Sequence, residues 1–319
     1  MSVLKWEGVY SALLTPFDAA DNIDFKLFEI NIDTQLHAGI DGIVLGGSLG
    51  EASTLTYEEK DNLLVFAKEL VENKVPVILN IAEQSTRQAI IVAQNAEKNG
   101  ADGLMILPPM RYKADDSEML EYFKNIADNT SLPIMIYNNP HDYKSEVTLD
   151  MFAQLEKIPS IQAIKESTRD VSNVTRLKNR FKNRFKILCG VDTLAFEELV
   201  MGADGWVGGL VDAFPYETVA VYRFLKAGNY EKALRIYRWF LPLLELDIHP
   251  KFAQYIKLAA TLTGMGSENV RAPRLKLVGP EREKILQVIN NAIRARDEIL
   301  CYLPSTIMIN EDLLNQKSI

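Results

Sequence analysis

The sequence predicts an α/β protein, a closed (β/α)8 TIM barrel with a C-terminal helical appendage. Eight short apolar runs rich in β-branched residues recur along the 319 residues, and most are followed by a helix-like segment. Their starts lie roughly 28 residues apart, which is what a strand and its crossover helix require. Several runs are apolar throughout instead of alternating, as in strands covered on both faces. A doubly wound sheet usually stops at about five to seven strands and carries a Gly-rich GxGxxG turn after its first strand, which is absent here.

The predicted strands span residues 9–14, 42–46, 75–81, 103–107, 133–137, 161–165, 185–189 and 205–210. Thr56 with Glu59, and Ser85 with Gln88, read as capping boxes opening the helices after the second and third strands. Gly100, just before the fourth strand, fits a helix C-cap. Past the eighth strand, residues 216–227, 230–246, 250–263 and 281–299 have helical apolar spacing, and the last three lie beyond the barrel's own final helix. No Ser/Gly-rich linker separates them. The expected organisation is a catalytic barrel over 1–228, helices packed on it over 229–300, and a tail over 301–319 that is mobile or docked on a neighbour.

Composition narrows the function. Hydrophobic residues make up 47% and charged residues 24%, which is ordinary for a globular chain, and the net charge is −8. Basic residues are scattered, so the footprint of a nucleic-acid binder is missing. The N-terminus lacks a basic flank followed by an apolar run, and no stretch approaches the ~20 apolar residues needed to cross a bilayer. Cys189 and Cys301 are far apart, which fits a reducing cytoplasm and neither a disulfide framework nor a zinc site. His37, His141 and His249 are dispersed and read as surface or capping residues instead of metal ligands. Cys189 reads as a buried small hydrophobe.

Barrel enzymes carry their chemistry at the carboxyl ends of strands. Lys165 closes the apolar run Ile161-Gln-Ala-Ile-Lys165. A lysine there is either a solvated rim residue or a partly desolvated amine able to attack a carbonyl, and in isolation the rim reading is favoured. Tyr137 closes the preceding strand and is either a rim aromatic or a proton shuttle for Lys165. The second strand runs into Leu45-Gly-Gly-Ser-Leu-Gly-Glu51, either a plain βα turn or a nest in which the N–H groups of Gly47, Ser48 and Leu49 and the Ser48 hydroxyl bind a carboxylate.

Together these residues resemble the dihydrodipicolinate synthase and N-acetylneuraminate lyase family of Schiff-base aldolases and lyases. Gly46-Gly-Ser-Leu-Gly-Glu51 stands for that family's GxTGE or GSTGE loop, Tyr137-Asn-Asn-Pro140 for YNxP, and Ile164-Lys165-Glu166-Ser167 for the Schiff-base strand. The resemblance runs nearly the whole chain, through Gly8-Val-Tyr-Ser-Ala-Leu-Leu-Thr-Pro16, Gly190-Val-Asp192, Gly202-Ala-Asp-Gly205 and Val270-Arg-Ala-Pro273. It implies that Lys165 forms an imine with a small-molecule 2-oxo acid such as pyruvate, that Tyr137 relays protons, and that the Ser48 loop holds the carboxylate. It also implies that no cofactor is required and that the chain assembles as a homotetramer, a dimer of dimers.

Three positions depart from the synthases of that family. Asp142 stands where they carry an arginine for the second carboxylate, and an acid there would repel one. Met110 or its neighbour, in Leu107-Pro-Pro-Met-Arg-Tyr-Lys113, stands where they lend a tyrosine across the dimer, and Leu49 replaces the second hydroxyl residue of the strand-two loop. These departures lead to the expectation of a lyase for a compact or hydroxylated 2-oxo acid, with 1-pyrroline-4-hydroxy-2-carboxylate deaminase preferred. The alternatives are 4-hydroxy-tetrahydrodipicolinate synthase and, from another class, a non-catalytic ligand-binding barrel. Residues expected on the substrate-specific side are Glu83, Met110, Arg111, Asn139, His141, Thr168, Gly208 and Gly209.

Overall fold

A computed structural model describes residues 4–109 and 112–303. Eight parallel strands close on themselves in sequence order: β1 (Gly8–Ala12), β2 (Gly42–Leu45), β3 (Val77–Ile81), β4 (Gly103–Ile106), β5 (Ile134–Asn138), β6 (Ile161–Glu166), β7 (Lys186–Cys189) and β8 (Gly205–Gly208). β1 pairs with both β2 and β8, so no strand edge is left open.

All eight expected strands are present, with ends shifted by one or two residues for local reasons. β3 and β5 each start after a proline, Pro76 and Pro133, because proline has no N–H to donate to the ladder. β8 stops at Gly208, two residues early, because the N–H groups of Gly209 and Leu210 turn aside to the Asp192 carboxylate. Thr56 and Glu59 form the full reciprocal capping box. Ser85 accepts the Gln88 N–H, which is one half of such a box. Gly100 lies one residue beyond the helix cap, Asn99, with φ +84, the left-handed value that glycine adopts without strain.

The period-2 alternation of the strands divides the core in two. One set of side chains fills the barrel: Tyr10, Val44, Ile78, Met105, Met135, Ala163, Leu188 and Val207. Their neighbours in sequence, such as Val9, Ile43, Ile134 and Ile164, face outward under the helices. Both faces are covered, which accounts for the unbroken apolar runs. The inward set also places the site, since Tyr137 lies two residues beyond Met135, and Lys165 two beyond Ala163.

Among the described residues, four helices follow the barrel's last helix, Pro215–Lys226: Tyr230–Leu244, Phe252–Leu262, Gly279–Ala295 and Asp297–Leu300. The expected single helix over 281–299 is thus two pieces. Tyr230–Leu244 packs along Pro215–Lys226, and its Trp239 indole donates to the Ala292 carbonyl at 3.0 Å. The segment after Phe252–Leu262 returns to the barrel mouth, where Arg271 pairs with Glu59 at 2.6 Å and the Asn269 amide donates to the Phe17 carbonyl at 2.7 Å. No described helix is long and apolar enough to cross a membrane. The tail expected over 301–319 lies outside the described residues from position 304 onward.

Candidate active site

A cavity of about 1230 Å³ opens at the carboxyl ends of the strands. Lys165 and Tyr137 share it because they are register partners on adjacent parallel strands, β6 and β5. The Lys165 Nζ lies 4.2 Å from the centre of the Tyr137 ring, and both residues are more than nine-tenths buried. Burial holds the Lys165 amine below the ordinary lysine range, resisted chiefly by the charges of Asp247 and Asp192. The lysine is therefore a desolvated amine, and the reading of it as a solvated rim residue falls. Gly190 makes room for it: a Cβ there would fall 2.7 Å from the Lys165 Cε.

Burial also pushes the Tyr137 phenol up, opposed by a hydrogen bond in which the Asn139 side-chain amide donates to its oxygen at 3.1 Å. Asn139 caps the helix Pro140–Tyr143, accepting the Asp142 N–H at 3.1 Å, and its amide also donates to the Asp142 carboxylate at 2.7 Å. That single helical turn carries Tyr143 back over the site. Its ring meets that of Tyr137 edge-on, with centroids 5.8 Å apart, and its hydroxyl is hydrogen-bonded to Ser48.

Gly47, Ser48 and Leu49 all line the cavity, and their backbone N–H groups make no hydrogen bond among the described residues. Three donors and a hydroxyl are thus available to an anion. Leu49 is buried in the apolar core beside the turn after β8, where a Cβ on Gly209 would fall 3.2 Å from its Cδ2. Glu51 closes the loop from below, with its carboxylate 2.5 Å from Lys257 in a buried pair.

Among the other expected residues, Glu83, Asn139, His141 and Gly209 line the cavity. Glu83 pairs there with the Lys60 ammonium at 3.1 Å. Two expectations are corrected. Thr168 turns away from the cavity, since the Glu166 carboxylate takes its N–H at 2.7 Å, and Gly208 lies behind Gly209, against Trp206 and Asp192. Met110 and Arg111 lie outside the described residues. Cys189 is buried as expected, and burial pushes its thiol up, away from nucleophilic use.

The sequence reading missed Tyr143, Arg169, Asp192 and Asp247. Asn139-Pro140 was a usable signal for Tyr143, because an N-cap followed by proline starts a turn that returns the chain within four residues. Arg169 and Asp247 gave no local signal. Arg169 lies 3.8 Å from Asp142 at the cavity wall, so a guanidinium stands close to where one was thought to be lost. Asp247 arrives from the turn after Tyr230–Leu244, and a Cβ on Gly209 would fall 2.9 Å from its Oδ1. Burial holds its carboxyl well above the usual carboxylate range, with Asp192 adding to the rise and Lys165 opposing it.

Residues 5–292 match the dihydrodipicolinate synthetase family. The chain belongs to that family. Among its relatives, the 4-hydroxy-tetrahydrodipicolinate synthase of Exiguobacterium sibiricum is 35% identical over 276 residues, covering 86% of this chain and 92% of that one. The synthase of the same name from Methanoculleus marisnigri is 30% identical over 292 residues, covering 90% and 99%. The solved structure of the 4-hydroxy-tetrahydrodipicolinate synthase from Methylacidiphilum fumariolicum SolV superposes with a TM-score of 0.89 at 29% identity, covering 94% of this chain and all of that one. The chain is thus a lyase of the dihydrodipicolinate synthase type, and the alternative of a non-catalytic barrel is set aside. The names of these relatives favour the synthase alternative over the deaminase expected from the sequence.

Proposed function

We propose that this lyase joins Lys165 to the carbonyl carbon of a pyruvate-like 2-oxo acid as an imine. Tyr137 moves protons at that centre, and the Ser48 hydroxyl with the Gly47–Leu49 backbone holds the carboxylate. The observation that carries this reading is the buried Lys165 amine, held below its ordinary range beside the Tyr137 phenol. In imine formation the two amine protons leave nitrogen and depart with the carbonyl oxygen as water. One further proton, delivered through Tyr137, converts the neutral imine to its protonated form, which serves as electron sink, and this is why the chemistry asks for no cofactor.

Condensation of the resulting enamine with aspartate semialdehyde, as in 4-hydroxy-tetrahydrodipicolinate synthase, is the reading that the relatives support. Arg169 supports it as well, since a guanidinium at the mouth can pair bidentately with a second carboxylate. A second reading rests on Asp142 and Asp247, two carboxyl groups in the cavity wall. Burial strengthens the hold of the Asp247 carboxyl on a proton, and in its protonated form that group can donate to a departing hydroxyl or amine, which suits dehydration or deamination of a hydroxylated 2-oxo acid or of 1-pyrroline-4-hydroxy-2-carboxylate.

Borohydride reduction in the presence of pyruvate should add the mass of the reduced adduct at Lys165, and failure across a broad 2-oxo-acid panel would end the imine reading. A turnover screen then separates the two reactions. Condensation with aspartate semialdehyde supports the synthase, and release of water or ammonia without it supports the second reading.

A further inference from the structure

Imine formation and enamine protonation both need protons carried between the buried Lys165 nitrogen and bulk water, and Tyr137 alone does not reach that far. Its hydroxyl is tied to Asn139 in a buried position. Two more hydroxyl groups line the same cavity in direct contact with each other: Ser48, at the end of the β2 loop, and Tyr143, on the turn after β5. Both are half-buried, whereas the Lys165 amine in the same cavity is enclosed. All three hydroxyl residues, with the lysine they would serve, belong to one chain.

We propose that Tyr143 is a proton-relay residue for the Lys165 imine, acting through Ser48 and beside Tyr137, so that each active site is complete within a single subunit. The inference rests on the imine reading above. The geometry is specific to the turn Asn139-Pro140-His141-Asp142-Tyr143: the Asn139 cap closes it, and one helical turn brings the Tyr143 ring edge-on to Tyr137. That contact fixes the ring, and the Ser48 contact fixes the hydroxyl. A hydroxyl pair can accept a proton on one oxygen and release another from the second, so nothing is consumed in the transfer. The sequence assigns no hydroxyl to position 110, so a relay supplied by Met110 of a neighbouring copy is not available.

The test follows the methyl protons of pyruvate as they exchange into D2O through the enamine, read by NMR on the full chain. Tyr143→Phe keeps the ring against Tyr137 and removes only the hydroxyl. Its exchange rate at saturating pyruvate should fall about 10²-fold. The amount of Lys165 adduct trapped by borohydride at equilibrium should change by less than about twofold, because the relay sets rates and not imine stability. Ser48→Ala should slow exchange comparably, and the double variant should be little slower than either single one, as for two links of one path. Mixed oligomers of Lys165→Ala and Tyr143→Phe chains should exchange no faster than the two variants kept apart. Wild-type exchange by Tyr143→Phe, or activity regained on mixing, would overturn the proposal while leaving the imine intact. Absence of any adduct in the wild type would instead remove the imine reading, and the relay with it.

Discussion

Tyr137 and Lys165 sit directly across from each other on neighbouring parallel strands, with the amine over the face of the ring. The ring face favours the ammonium form, whereas burial of both groups favours the free amine, and burial wins. Tyr137→Phe keeps the ring and loses the hydroxyl. It should leave the Lys165 titration little changed while lowering the rate of adduct formation by about 10²- to 10⁴-fold, the range for losing a general acid or base. Rapid-quench borohydride trapping across pH separates the two effects.

Lys165 depends on an empty space. A methyl group at Gly190 would fall 2.2 Å from the Ser167 hydroxyl and 2.7 Å from both Cγ and Cε of Lys165, so the lysine must move. Displacement of a reacting group by about 1 Å costs about 10²-fold in rate. Gly190→Ala should therefore show a loss of that order in kcat, with a folded chain by circular dichroism. Unchanged kcat would mean that Lys165 tolerates another rotamer.

The acid limb of the rate profile reports loss of the neutral amine. Lys165 titrates below the ordinary lysine range because it is buried, and Asp247, Asp192, Cys189 and Asp142 all act to raise it again. Removing a charge that stabilises the ammonium form favours the amine. Asp247→Asn should shift the acid limb to lower pH, measured as adduct formation against pH, and a shift to higher pH would contradict the assignment of Asp247 as its charge partner.

Behind the site, Glu198 is buried, and desolvation with Glu166 nearby pushes its carboxyl up to about 8. A carboxyl with a folded pKa above its unfolded value, here the ordinary 4.5, contributes stability below that value and loses it as pH rises through the folded one. Glu198→Gln should remove this loss. The variant should gain on the wild type from about pH 5 to pH 8, by up to roughly 5 kcal/mol from the size of the shift. Melting temperatures over that range provide the check, and parallel curves would mean that Glu198 is charged in the folded protein.

The Lys257–Glu51 pair is almost wholly buried, with 2.5 Å between its charged atoms. Removing one partner strands the other charge, so Lys257→Met should destabilise the protein by about 3–5 kcal/mol in denaturant unfolding. Because Glu51 ends the loop that carries Ser48, the variant should also bind pyruvate more weakly.

The strands were legible in the sequence because covering both faces of a parallel sheet leaves an apolar run that needs no tertiary knowledge to recognise. Lys165, Tyr137 and Ser48 were legible for a related reason, since each ends such a run or sits in the turn beyond it, where a barrel gathers its chemistry. What folding alone decided was which distant groups complete the cavity. Asp142 looked like a lost cation because the sequence could not show Arg169 reaching the same wall from the next strand. Tyr143 is six residues from Tyr137 and 95 from Ser48, yet it touches both, because the Asn139 cap folds the chain back and barrel closure brings β2 and β5 to a common mouth. Asp247 enters from a helix pair outside the barrel pattern altogether. Strand identity is local patterning, repeated and redundant, whereas the partners of a buried amine are set by through-space distances that no spacing along the chain encodes.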